Sequence, residues 1–198
     1  MLRKSGMTIF LVWCSATWAL SAEPSGQILG GSLDSPVKIE VFSDFQCPAC
    51  RTLFLDTIRP VLKNYKDKVC VVYYEYPLPA HQYALPAARY IAAAARLGNK
   101  KMPQLFEEIF KDQDEWSRNG DIEASIARVL SQEELLKVKQ IMQDADIDAD
   151  INSEITLGER KGVDSTPTLF FYYQGKERKA PGFYTYTNMK QFLDTVLK

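Results

Sequence analysis

The sequence predicts an α/β domain with the element order β-α-β, a helical block, then β-β-α. Three runs, 37–43, 69–76 and 168–173, are rich in β-branched and aromatic residues, short, and bounded by turn residues. Residues 81–165, between the second and third run, carry apolar residues at helical spacing instead. The chain has 198 residues, 46% of them hydrophobic, which suits one domain able to bury its own core. A disordered chain is excluded by that apolar content. With 24 Lys+Arg against 25 Asp+Glu and a net charge of −1, there is no polybasic footprint, and nucleic acid is not an expected partner.

Residues 1–22 read as a targeting segment rather than as fold. Arg3 and Lys4 precede the apolar run Met7 to Leu20, and Ala19, Ser21 and Ala22 supply small residues for a signal peptidase. The run is short for a bilayer, which needs roughly 17–25 residues. An uncleaved segment tethering the protein to the membrane is the alternative. A lipoprotein anchor at Cys14 is disfavoured by the bulky Trp13 before it. Cleavage after Ala22 leaves 23–198 as one exported domain, which buries on the order of 70% of its unfolded surface.

The elements follow in order. Gly30-Gly31-Ser32-Leu33-Asp34-Ser35-Pro36 reads as a turn ahead of the strand Val37 to Ser43. Cys47 to Tyr65 has helical composition, with Leu53, Phe54, Ile58, Val61 and Leu62 near three- and four-residue spacing, and Pro60 predicts a kink inside it. Val69 to Tyr76 is the second strand, closed by Pro77-Leu78-Pro79. Pro86 stands in the first turn of an Ala-rich helix reaching Leu97, and Pro103 opens another that carries Leu105, Phe106, Ile109 and Phe110. Ile122, Ile126 and Val129 mark a third helix. Ser131-Gln132-Glu133-Glu134 has the form of a capping box. Ile147, Ile151 and Ile155 give an i, i+4, i+8 stripe that Gly162 terminates. Thr168 to Tyr173 turns through Gln174-Gly175-Lys176 into a strand near Glu177 to Ala180, and Thr187 to Leu197 closes the chain as a helix.

Of four cysteines, Cys14 leaves with the leader, and three remaining cysteines form no disulfide framework. Cys70, in the apolar run Val69 to Tyr74, is expected in the core rather than in a redox or dimer-bridging role. Cys47-Pro48-Ala49-Cys50 stands where a strand gives way to a helix. A thiolate there faces unpaired backbone N–H groups and the positive end of the helix dipole, both of which lower its pKa. Cys50, one turn on, is close enough to close a short disulfide with Cys47. A zinc half-site and an inert disulfide have the same spacing. The redox reading is preferred over zinc because there is no second Cys-x-x-Cys and His81 is the only imidazole.

Three ordered motifs, Ser43-Asp44-Phe45-Gln46-Cys47-Pro48-Ala49-Cys50, Tyr76-Pro77-Leu78-Pro79-Ala80-His81 and Ser165-Thr166-Pro167-Thr168, resemble those of the DsbA-type branch of the thioredoxin superfamily. These are exported bacterial thiol–disulfide oxidoreductases. The resemblance spans Gly30-Gly31 to the last helix. It implies a thioredoxin-like fold, a central mixed sheet with residues 81–165 as a helical insertion. It implies Cys47 as nucleophile, Cys50 as resolving thiol, Pro48 and Ala49 as the active-site dipeptide, and a cis bond at Thr166-Pro167. Thr166 and Pro167 are then the substrate-binding pair, where Thr166 offers its backbone to an added strand.

Two departures from the family bear on chemistry. Strong oxidants of the family have histidine where this chain has Ala49, so the Cys47 pKa is expected between the roughly 3.5 of DsbA and 7 of thioredoxin. The potential is then expected between about −120 and −270 mV. Many relatives also have a buried acid where this chain has Val41. Glu40 is adjacent, but strand alternation aims it at the opposite face. Glu75 is the candidate proton relay for Cys50, although an ordinary solvated acid at a strand end is the preferred expectation for it.

His81 is expected to be a loop histidine with a backbone partner rather than a pH-sensitive tuner of the thiolate. Tyr172, Tyr173, Phe183, Tyr184 and Tyr186 are expected mostly to pack the sheet against the last helix. The function expected is disulfide formation or exchange in unfolded or thiol-bearing secreted proteins, in the periplasm or another extracytoplasmic space. A quinone-linked membrane redox partner is expected to reoxidise the pair, and no cofactor or metal is expected. The alternatives are an isomerase or reductase for a narrower client, and a non-catalytic thioredoxin-like module that binds copper or a peptide. Nothing in the sequence fixes an oligomeric state.

Overall fold

The computed structural model describes residues 26–198, so the expected leader 1–22 with Cys14 lies outside the described residues. Strands β1 (Gln27–Gly30), β2 (Val37–Ser43), β3 (Val69–Glu75), β4 (Thr168–Tyr173) and β5 (Lys176–Pro181) form one sheet in the order β1-β3-β2-β4-β5. β2 and β3 run parallel, and the other pairs are antiparallel. Every residue of β3 is buried, as is nearly all of β2, which is why both read as continuous apolar runs rather than alternating ones.

β1 was not expected. It is four residues long, its register shifts between Ile28 and Gly30, and it ends in the glycine pair that reads as a turn. A segment that short has no periodicity to detect. Gly31 follows at φ +79, and a Cβ there would stand 2.2 Å from the Val69 carbonyl oxygen, so only glycine lets the chain pass β3.

The helix expected over 47–65 is α1 (Pro48–Leu53), a π-helical segment Phe54–Ile58, and α2 (Arg59–Asn64). The irregularity stands before Pro60 and takes the form of a widened ladder, with the Arg59 N–H bonding the Phe54 carbonyl five residues back. The insertion comprises α3 (Ala84–Ala95), a 3₁₀ turn Asn99–Lys101, α4 (Met102–Lys111), α5 (Gln113–Asn119), α6 (Ile122–Ile126), α7 (Gln132–Ile141) and α8 (Ala145–Arg160). The Ser131–Glu134 capping box is formed at the start of α7, and Gly162 follows α8 at φ +70. Short, largely polar α5 carries no apolar stripe, so the sequence holds no periodic signal for it. α9 (Tyr186–Val196) closes the chain.

The sheet divides the core. On one face Ile39, Val41, Val71, Tyr73 and Phe171 meet α1, α4 and α9. There Phe45 stacks on Tyr73 with ring centroids 5.3 Å apart, and Phe106 of α4 meets Tyr73 edge-on at 4.7 Å. Each such buried ring contributes about 1.5–3 kcal/mol. On the other face Phe42, Val72, Tyr74 and Phe170 meet Leu157 and Val163, and Cys70 is fully buried among them. Glu40 lies on this second face, where it bonds Lys38 at 2.7 Å and accepts from the Tyr172 hydroxyl at 2.8 Å. Tyr173 and Tyr184 meet Phe192 and Phe171 between sheet and α9, while Phe183 is 44% exposed.

Candidate active site

The cysteine pair sits on the loop that carries β2 into α1. Ser43 ends the strand, and Cys47 occupies the N-cap of α1 with extended dihedrals (φ −77, ψ 121) and Pro48 behind it. The Cys47 carbonyl accepts the first helical bond, from the Arg51 N–H at 3.1 Å, so the thiol starts the helix and the fixed φ of Pro48 suits the first turn. Cys47 is 6% exposed and Cys50, one turn deeper, 1%. Both are free thiols, so the geometry is that of the dithiol.

The two sulfurs have opposite electrostatics. The Cys47 thiol is lowered from its ordinary 9.0 to about 6. The largest cause is the Cys50 thiol hydrogen-bonding to it, and the Thr166 side chain and the backbone N–H groups of Cys50 and Ala49 add to this against the cost of burial. The helix-start backbone groups expected to lower this pKa are among its causes. They contribute, and the neighbouring Cys50 thiol contributes more. The Cys50 thiol is pushed well up, first by burial and then by Cys47, while the Ser43 side chain and the Asp44 backbone act to lower it.

The Thr166-Pro167 peptide bond is cis. The Cys47 thiol donates to the Thr166 carbonyl oxygen at 3.4 Å, and Pro167 is buried. The Thr166 hydroxyl is buried without a partner in this dithiol form, leaving it a donor for the thiolate. Cys47, Cys50, Thr166 and Pro167 are thus brought together from the two halves of the sheet.

Sequence reasoning missed the groups that hold the loop. The Asp44 side chain has no solvent exposure, and its carboxylate accepts from the Gln46 N–H at 2.6 Å, the Leu78 N–H at 2.8 Å and His81 Nδ1 at 2.7 Å. The bland expectation for His81 is corrected accordingly: its partner is a buried carboxylate, not a backbone group. The Gln46 side chain accepts from the Tyr83 N–H at 2.6 Å. Gln113, at the start of α5, donates its side-chain amide to the carbonyls of both Phe45 and Cys47. Asp44 and Gln46 lie inside the motif and were within reach of an Asx-turn argument. Gln113 gave no local signal.

Glu75 is also corrected. It is 3% exposed, not a solvated strand end, and burial beside Glu154 and Asp44 pushes its carboxyl well up. Its backbone N–H bonds the Glu154 carboxylate at 2.5 Å, and both acids line a cleft of about 330 Å³ together with Gln27 and Asp150. Val41 fills the core position opposite Tyr73. Among the described residues no group of three or more His, Cys, Asp or Glu is placed to hold a metal ion, and no helix is long and apolar enough to cross a membrane.

A family profile described as "Thioredoxin" matches residues 23–195. Among curated relatives, the probable disulfide bond formation protein D of Bacillus cereus is 25% identical over 173 residues, covering 85% of this chain and 77% of that protein. The disulfide bond formation protein D of Bacillus subtilis is 23% identical over 197 residues, covering 91% and 82%. The crystal structure of DsbA2 from Pseudomonas aeruginosa superposes with a TM-score of 0.67 at 25% identity, covering 89% of this chain and 95% of that one.

Proposed function

Because the chain belongs to the DsbA-type branch of the thioredoxin superfamily and is a thiol–disulfide oxidoreductase, we propose that Cys47 and Cys50 are its redox pair and that it oxidises thiol-bearing exported proteins. The observation that carries this is the asymmetry of the pair. Cys47 ionises near 6, so it is a thiolate at neutral pH, while buried Cys50 stays a thiol and withholds itself until a mixed disulfide forms.

A client thiolate attacks Cys47 of the oxidised pair, and Cys50 leaves. The client then lies beside Thr166-Pro167, where the Thr166 carbonyl that Cys47 contacts in the dithiol is free to accept from the client backbone. A second client thiol attacks the mixed disulfide, releasing an oxidised client and the dithiol enzyme. A thiolate near 6 is a better leaving group than one near 7, which favours oxidation of clients relative to thioredoxin and supports the expected potential between about −120 and −270 mV. Reoxidation falls to a membrane redox partner.

Residues 1–22 act as a cleaved signal, 23–198 form the single working domain, and the enzyme acts in the periplasm or another extracytoplasmic space. N-terminal sequencing of the exported protein tests cleavage after Ala22. Refolding of reduced ribonuclease in a glutathione buffer tests the activity. Wild type accelerates recovery and Cys47→Ala does not; equal recovery with both proteins rejects the assignment.

A further inference from the structure

Thr57 lies fully buried in the π-helical segment that follows α1, and its hydroxyl donates at 2.7 Å to the Tyr184 carbonyl, 127 positions away. Threonines on regular helical turns bond differently here. The hydroxyls of Thr52, Thr156 and Thr195 each donate to the carbonyl four residues back, at 3.1, 2.8 and 2.8 Å. The π turn, closed by the Arg59 N–H on the Phe54 carbonyl, takes in one residue more than a regular turn, and from it Thr57 bonds outward across the domain.

The Tyr184 carbonyl belongs to the loop 182–185 between β5 and α9. That loop borders the cis bond, because the Gly182 N–H donates to the Pro167 carbonyl at 2.8 Å. It is held again at Tyr184, whose ring packs on Phe171 with centroids 5.6 Å apart and whose hydroxyl accepts from Arg178 at 3.3 Å. Thr185 ends it as the N-cap of α9, accepting from the Asn188 N–H at 3.2 Å. Phe183 stands between two held residues and is 44% exposed. A single exposed ring is ordinary on a protein surface, but this one is fixed on both sides and is one residue from the N–H that meets the cis-proline.

Resting on the assignment of Cys47, Cys50 and the Thr166-Pro167 pair above, we propose that Thr57 is a positioning residue for client binding: its hydroxyl fixes the 182–185 loop so that Phe183 packs against a client seated at Thr166-Pro167. A loop ordered before the client arrives is not ordered at the expense of binding. The client favoured is one with an apolar side chain beside its reacting cysteine. Neither Thr57 nor Phe183 is among the groups that set the Cys47 thiol, so a thiol too small to reach Phe183 reacts as before when the loop is loosened.

The test is reduction of the oxidised enzyme at pH 7 by glutathione, by a peptide with leucines flanking its cysteine, and by the same peptide with serines there. Thr57→Val keeps the shape of the side chain and removes the hydroxyl. It is expected to lower the second-order rate constant for the leucine peptide about fivefold, the scale of one buried hydrogen bond. Its rates with glutathione and the serine peptide are expected to stay within about twofold of wild type, and Thr57→Ser to restore the leucine peptide. Phe183→Ala changes only an exposed ring and is expected to slow the leucine peptide by a similar factor. The double variant is expected to lose no more than either single one, because Thr57 acts through Phe183. The proposal is overturned by a leucine-peptide rate that is unchanged in Thr57→Val or in Phe183→Ala, or by losses that multiply in the double variant. A glutathione rate that falls as far as the leucine-peptide rate in Thr57→Val also overturns it, since the hydroxyl would then serve the fold as a whole. Failure of wild type to react with glutathione would instead remove the assignment of the cysteines.

Discussion

Gln113 holds Cys47 by its backbone: the side-chain amide at the start of α5 donates to the Cys47 carbonyl at 2.9 Å across 66 positions of sequence. The same nitrogen reaches the Phe45 carbonyl at 2.6 Å. The helical insertion therefore grips the active-site loop on both sides of Gln46 instead of only covering the sheet. Gln113→Ala leaves the Phe45 carbonyl buried without that donor, and is expected to cost about 2–3 kcal/mol, measured by urea denaturation of the dithiol form. A cost below about 0.5 kcal/mol would mean the loop is held without it.

Alkylation of Cys47 is expected to titrate with a midpoint near 6. Cys50→Ala removes the thiol that contributes most to that value, so the midpoint is expected to move upward. Thr166→Val removes a smaller contribution and is expected to move it upward less. Iodoacetamide rates against pH give all three midpoints, and the reverse order contradicts the assignment of causes.

The potential is expected to bend with pH. Cys47 ionises below its ordinary 9.0, so its stabilisation of the dithiol is complete above pH 9 and is lost as pH falls through about 6. Cys50 moves the other way and stays protonated across this range. Reduction therefore takes up two protons below pH 6 and one above. The slope should change from about −59 to about −30 mV per pH unit there, measured in glutathione buffers. A single slope from pH 5 to 8 would contradict the low thiol.

Asp44→Ala strips the buried acceptor from the Gln46 and Leu78 N–H groups and from His81, and is expected to cost about 3 kcal/mol or more. Asp44→Asn keeps one acceptor oxygen and is expected to cost roughly half as much. Thermal denaturation of the two variants compares them, and equal losses would mean the carboxylate acts only through its charge.

From β2 onward the order of strands and helices, α5 apart, is legible in the sequence, and so is the candidate pair Cys47 and Cys50. β2, β3 and β4 are legible because strands buried on both faces must be apolar throughout, and α7 because Ser131 and Glu134 satisfy orphan N–H groups locally. Cys47 and Cys50 are legible because four adjacent residues at a strand-to-helix junction suffice to place them.

What depends on distant contacts was not legible. β1 exists only because β3 offers an edge to pair with, and α5 is held by what Gln113 and Trp116 bury rather than by a stripe of its own. Folding, and not the local sequence, buries Glu75, sets His81 against Asp44 and brings the Cys50 thiol to bear on Cys47. Each of these depends on the distance and solvent exclusion between groups the chain brings together only when folded, and those two quantities set a pKa shift or a buried hydrogen bond once residue type has supplied the groups.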